Sequence, residues 1–116
     1  MATVAAALVN VLEASHKVFV ASWAAMANGD VGEAVPLSQY SDRSVQVTGT
    51  LAGASVTLEG SLDGTTYAPL TDPQGNNLLI TSPKIEMITE LVRYVRPVIS
   101  SGAGASVTVL LLLRIT

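Results

Sequence analysis

The sequence predicts an all-β chain, an antiparallel β-sandwich of the jelly-roll kind, on three observations. Apolar residues recur with a period of two in "HKVFVASW", "RSVQVTGTL" and "SVTLEGSL", the repeat of half-buried strands with one wet face. Clusters of Gly, Asn, Asp and Pro punctuate the chain about every 8–12 residues, the spacing of sandwiches. No strand–helix–strand alternation is visible, which argues against a parallel α/β sheet. The result is about seven or eight short strands. The 116 residues suit one domain, with residues 1–15 as an N-terminal arm and residues 16–116 as the sandwich.

The elements follow in order. In the arm, Val4, Leu8, Val11 and Leu12 stand at helical spacing among alanines. Terminal arms also take β structure from whatever they dock on, so a short helix and an extended arm both remain open. From His16 the period becomes two: Val18 and Val20 alternate with Lys17, Phe19 and Ala21. "ANGDVGEAV" is a turn or loop. Val45 and Val47 share one face of the next strand, Gln46 and Thr48 the other. Val56 and Leu58 point inward in the strand after that, Thr57 and Glu59 outward. Asp63-Gly64 is a hairpin turn, with Gly64 supplying a positive φ and Asp63 tolerating one. "TDPQGNN" is dense turn chemistry, followed by a short strand "LLIT". "KIEMITELVRYV" fits either period, and its strand neighbours favour a strand with a bend. Pro97 lacks an amide, so the strand Val92 to Ile99 is expected at an edge or with a bulge there. In "SVTVLLLLRIT", Val107, Val109, Leu111, Leu113 and Ile115 share one face, and Leu110 and Leu112 make the other face apolar too. A strand apolar on both faces is buried on both, under the chain's own arm or under another subunit.

Composition narrows the function classes. The chain carries a net charge of −3 with scattered basic residues, where a nucleic-acid binder shows a basic stripe. With 49% hydrophobic and 13% charged residues, it is apolar for a small domain, and burial of part of its surface against a partner would explain that. The longest apolar run, Val109 to Leu113, is far short of the roughly 20 residues of a membrane-spanning helix. The arm lacks a basic n-region and contains Asn10 and Glu13, so it does not read as a signal peptide.

No constellation of catalytic residues stands out. The chain has no cysteine and one histidine, His16, which leaves no His/Cys metal cluster and no thiol chemistry. Asn28, Asp30 and Glu33 offer oxygens for calcium, but the run is too sparse for an EF-hand loop and reads better as a glycine-assisted turn. Glu59, Glu86 and Glu90 have no evident partners for acid–base work. Arg93 and Arg96 flank Tyr94 on opposite sides of a strand and read as ion-pair or interface residues. Trp23 reads as core, Tyr40 and Tyr67 as the better candidates for exposed rings. A hydrolase is therefore not expected, nor is any cofactor or metal.

Five motifs occur in a telling order: "DRSVQVTG", the hairpin "GSLDGT", "LTDPQGN", "YVRP", and a final "GAGASVTVLLLL". Together, across residues 39 to 114, they resemble the small β-sandwich capsid decoration or cement proteins of tailed bacteriophages. That resemblance implies a non-enzymatic virion protein, made in the host cytoplasm and seated on the outer surface of the head. It would bind the major capsid protein, bridge capsomers and stabilise the head. It would also contact itself, as a homodimer at a two-fold axis or as a trimer. The family supplies no binding residues by motif. The interface expected from the residues is the arm, at Val4, Leu8, Val11 and Leu12, and the last strand, at Leu110, Leu112 and Arg114. The alternative is a carbohydrate-binding module of a phage tail or surface protein, because "GSLDGTTYAPL" also resembles discoidin-like modules.

Overall fold

A computed structural model describes residues 3–10, 18–36 and 42–114. Within them lie twelve strands and no helix: β1 (Thr3–Val4), β2 (Ala7–Asn10), β3 (Val18–Met26), β4 (Val31–Gly32), β5 (Val35–Pro36), β6 (Asp42–Thr50), β7 (Ser55–Ser61), β8 (Ala68–Pro69), β9 (Leu79–Ile80), β10 (Lys84–Met87), β11 (Tyr94–Ser100) and β12 (Ser106–Arg114). They form two sheets, one ordered β10-β6-β12-β3-β2 and the other β1-β4-β11-β7-β8, with β5 beside β11 and β9 beside β7. The fold is a β-sandwich. β4 and β5 flank the same edge of β11, and β8 and β9 the same edge of β7. Counting each pair as one interrupted strand leaves the eight strands and the two-sheet order of a jelly roll, plus the two arm strands.

The core follows from the period of two. Val45 and Val47 on β6, Val56 and Leu58 on β7, and Val107, Val109, Leu111 and Leu113 on β12 are all buried between the sheets. On β3 the inward face carries Ala21 and Trp23, and Val20 falls outside. A strict alternation after Trp23 would send Met26 outward. The pairing of β3 with β12 shifts by one residue between Val107 and Val109, and Ala25 there has a φ of 53°. This bulge absorbs one extra alanine and turns Met26 back into the core. Trp23 donates its indole Nε1–H to the Glu33 carbonyl at 2.9 Å.

Several expectations are corrected. The described arm residues take the extended option, not the helical one: β1 pairs with β4 in one sheet and β2 with β3 in the other. Val11, Leu12, His16 and Tyr40 lie outside the described residues. Strand β11 is not an edge. It runs unbroken beside β7, with Pro97 opposite Leu58. The irregularity falls on its other neighbour, where the register changes between Val31 and Val35. Opposite Pro97, Gly32 makes room: a Cβ at Gly32 would lie 2.5 Å from the Pro97 ring. The missing proline amide is thus matched by a break in the partner strand. "KIEMITELVRYV" is a strand, β10, then a loop, and then the start of β11.

The hairpin between β7 and β8 is wider than a two-residue turn. Gly64 does have a positive φ, 79°, but Asp63 does not. Asp63 works through its side chain: Oδ1 accepts the amides of Thr65 and Thr66, each at 2.8 Å, and the Ser61 hydroxyl at 2.9 Å. The amides of Thr66 and Thr65, then that hydroxyl, hold the carboxyl down at about 2 from an ordinary 3.8.

Candidate functional site

The second face of β12 is where the sequence left a question. Both backbone edges of β12 are taken, by β6 and by β3, so only its outer surface can meet a partner. Cross-strand neighbours share a face. One row therefore runs Met87, Ser44, Leu112, Val20, and the next runs Ile85, Gln46, Leu110, Ser22. These rows frame an apolar groove of about 260 Å³ lined by Val20, Ser44, Val45, Gln46, Ile85, Leu110 and Leu112. Leu112 is 40% exposed, Ile85 63% and Met87 53%. No lining residue is charged. The expected cover is not supplied by the described part of the arm: β2 lies edge-on beside β3 in the same sheet.

The expected interface residues divide accordingly. Leu110 and Leu112 meet in the groove, and Arg114 is exposed at the end of the same face. Val4 is half-buried against the core in the other sheet, and its carbonyl accepts the Glu33 amide at 2.7 Å. Leu8 sits opposite Ala21 and lines a separate hollow with Glu33, Val35 and Pro36. The arm and the last strand thus do not make one patch. Sequence reasoning missed Val20, Ile85 and Met87. The signal was present for two of them: Ile85 and Met87 alternate with Lys84 and Glu86 at strand period.

A second hollow, of about 390 Å³, opens beside the Asp63 hairpin and includes Leu62, Asp63, Leu70, Glu90 and Val92. Its polar groups are committed to holding loops. Thr71 donates its amide to Glu90 Oε1 at 2.7 Å and its hydroxyl to Oε2. Partial burial works to raise the Glu90 pKa, but the Thr71 hydroxyl and amide and the Arg43 charge outweigh it, so it lies below the ordinary 4.5. Arg43 points into the sandwich and is buried. It donates Nε to the Glu90 carbonyl at 2.9 Å and Nη2 to the Thr89 carbonyl at 3.2 Å, tying the loop after β10 to β6.

Two of the described aromatic rings, Tyr67 and Tyr94, are likewise occupied. The Arg96 guanidinium lies 3.8 Å from the centroid of the half-buried Tyr67 ring and bonds Glu59 at 3.1 Å. Arg93 stands 5.2 Å from the Tyr94 ring. Tyr67 is therefore a cation–π partner instead of the exposed ring its sequence position indicated. The oxygens of "NGDVGE" also serve the backbone, Asp30 Oδ2 accepting the Ala27 amide and Glu33 Oε1 the Ala6 amide. Among the described residues no three His, Cys, Asp or Glu side chains gather as metal ligands.

No family model matches the chain, and no curated protein matches it by sequence. Its fold is similar to that of the SPBc2 prophage-derived protein YomS, with a TM-score of 0.65 and 12% identity over 92% of this chain and 98% of that one. Lesser likenesses include Peruvianin-I, a cysteine peptidase from Thevetia peruviana latex, at TM-score 0.46 and 11% identity over 85% of this chain and 51% of that one. Another is the CBM32 of AlyQ in complex with 4,5-unsaturated mannuronic acid, at TM-score 0.42 and 10% identity over 79% and 75%. At these identities the likeness is one of fold.

Proposed function

We propose that this protein is a non-enzymatic virion component, a decoration protein that docks on the outside of a phage capsid shell and helps hold neighbouring capsomers together. The observation that carries the reading is the uncharged apolar groove on the outer face of the five-stranded sheet, with Leu110 and Leu112 at its centre. Such a surface gains nothing from phosphate or from a charged headgroup, and gains most from a matching apolar protein surface. The ordered motifs from "DRSVQVTG" to "GAGASVTVLLLL" support the reading. So does the end-to-end likeness of fold to a prophage-derived protein. The carbohydrate-binding alternative is the weaker one, since among the described residues the rings of Tyr67 and Tyr94 already carry Arg96 and Arg93 against them.

The test is cosedimentation of the purified protein with heads of the phage that encodes it, followed by cryo-electron microscopy of the particle. The expected result is density for the sandwich on the outer shell and loss of cosedimentation on Leu112→Asn. Heads that carry none of the protein, or that bind Leu112→Asn as well as the parent, would refute the reading.

A further inference from the structure

The open edge of β10 points to a second copy of this chain. Strand β10 ends the five-stranded sheet among the described residues, with β6 as its only strand partner there. Its register with β6 shows which groups remain unused. The Ile88 amide donates to the Arg43 carbonyl at 3.3 Å, continuing the pairing of Glu86 with Val45 and Lys84 with Val47. Bonding alternates along an antiparallel ladder. The backbone groups of Lys84 and Glu86 therefore face β6, while those of Ile85 and Met87 face the open edge. Edges of this sort invite another strand unless something repels it.

A lysine on an edge strand ordinarily does repel. Here Glu86 stands two residues on from Lys84, on the same side of the strand. This spacing makes the edge self-complementary for one partner. We propose that two copies pair antiparallel along β10 about a two-fold axis at Ile85, joining their five-stranded sheets. In that register Lys84 of each copy faces Glu86 of the other, and Ile85 faces Ile85. The two Ile85 residues exchange both of their backbone hydrogen bonds, and each Met87 amide reaches the Pro83 carbonyl of the other copy. Pro83 has no amide to leave unpaired, so the pairing ends there. On the outer surface Ile85 already lines the apolar groove. The joined sheet would carry the two grooves side by side, flanking the axis. The proposal rests on the edge and its charges and stands independently of any capsid.

The chain has no cysteine, so an engineered one reports cleanly. Opposed Cα atoms of a hydrogen-bonded pair lie about 5.5 Å apart, within reach of a disulfide. Two Lys84 residues would be offset along the strand by about 7 Å on top of the strand spacing, out of reach. The expected result is that Ile85→Cys forms a covalent dimer under mild oxidation and Lys84→Cys does not. In analytical ultracentrifugation the parent should show a concentration-dependent dimer. Lys84→Glu should weaken it about tenfold by opposing like charges twice, and the swap Lys84→Glu/Glu86→Lys should restore it. The proposal is overturned by a parent that stays monomeric into the millimolar range. It is also overturned by a dimer insensitive to both charge changes, or by one trapped through Leu112→Cys and not through Ile85→Cys. All of these use the free protein, so failure here is separate from failure to bind heads.

Discussion

Leu111 and Leu112 are adjacent on β12 and chemically identical, yet they face opposite sides of the sheet, and replacing each by asparagine separates their roles. Leu111 is fully buried between the two sheets. Leu111→Asn removes about 2.4 kcal/mol of transfer free energy, at about 0.8 per buried carbon. It also strands an amide in the core, at a further cost of about 1–3 kcal/mol. Together these come to about 3.4–5.4 kcal/mol, a large part of the roughly 5–15 kcal/mol that keeps a domain folded. Leu112 is 40% exposed. The same substitution there forfeits about 1.4 kcal/mol of burial, and water satisfies the new amide. The assay is equilibrium unfolding in urea followed by the fluorescence of Trp23, the only tryptophan and wholly buried. At an m-value of about 2 kcal/mol per molar, Leu112→Asn should lower the midpoint by about 0.7 M and Leu111→Asn by about 1.7 M or more. Equal losses, or tolerance of Leu111→Asn, would refute the assignment of faces and with it the groove.

Three further outcomes are expected. Arg43→Ala should cost about 2 kcal/mol by leaving the Thr89 and Glu90 carbonyls without their buried donor, with amide exchange quickening first in the loop after β10. Lysine there should recover only part of the loss, having no planar fork to span both carbonyls. Gly102→Ala should cost about 2 kcal/mol or more, since its φ is +76° and the new Cβ would lie 2.5 Å from the Ala54 amide nitrogen. Gly75→Ala, at φ +87° with no neighbour within 4 Å, should cost about 1 kcal/mol in the same urea assay. Asp63 and Glu90 both titrate below their ordinary values. Their contribution to stability is therefore present above the unfolded pKa and lost as pH falls through the folded one. For Asp63 the window runs from 3.8 down to about 2. Carboxyl NMR should place its midpoint near the lower figure, and near the ordinary value after Ser61, Thr65 and Thr66 lose their ordered turn in urea.

Strands were legible where one face is wet. In β6, β7 and the first half of β12 each residue type reports its own side, because alternation is fixed by the pleat and needs no knowledge of neighbours. Pro97 was misjudged for the opposite reason. Proline forbids a ladder bond, but the sequence of one strand does not say which neighbour gives way, and here it is the strand containing Gly32. Arg43 went unread because a basic residue at the start of a strand looks like surface, and only the return of the loop at Thr89 and Glu90 buries it.

By itself the sequence determined the all-β class, the inward apolar side chains of β6, β7 and β12, and the excess of apolar surface at Leu110 and Leu112. These are properties of periodicity and composition, which act locally. The tertiary structure alone decided that β12 lies inside its sheet with β6 and β3 on either edge. It also brought Val20 and Ile85 from distant parts of the chain to complete the groove, and left β10 with an open edge among the described residues. Strand order is set by which pairings bury the most apolar surface at once, a sum over the whole chain that no single segment carries.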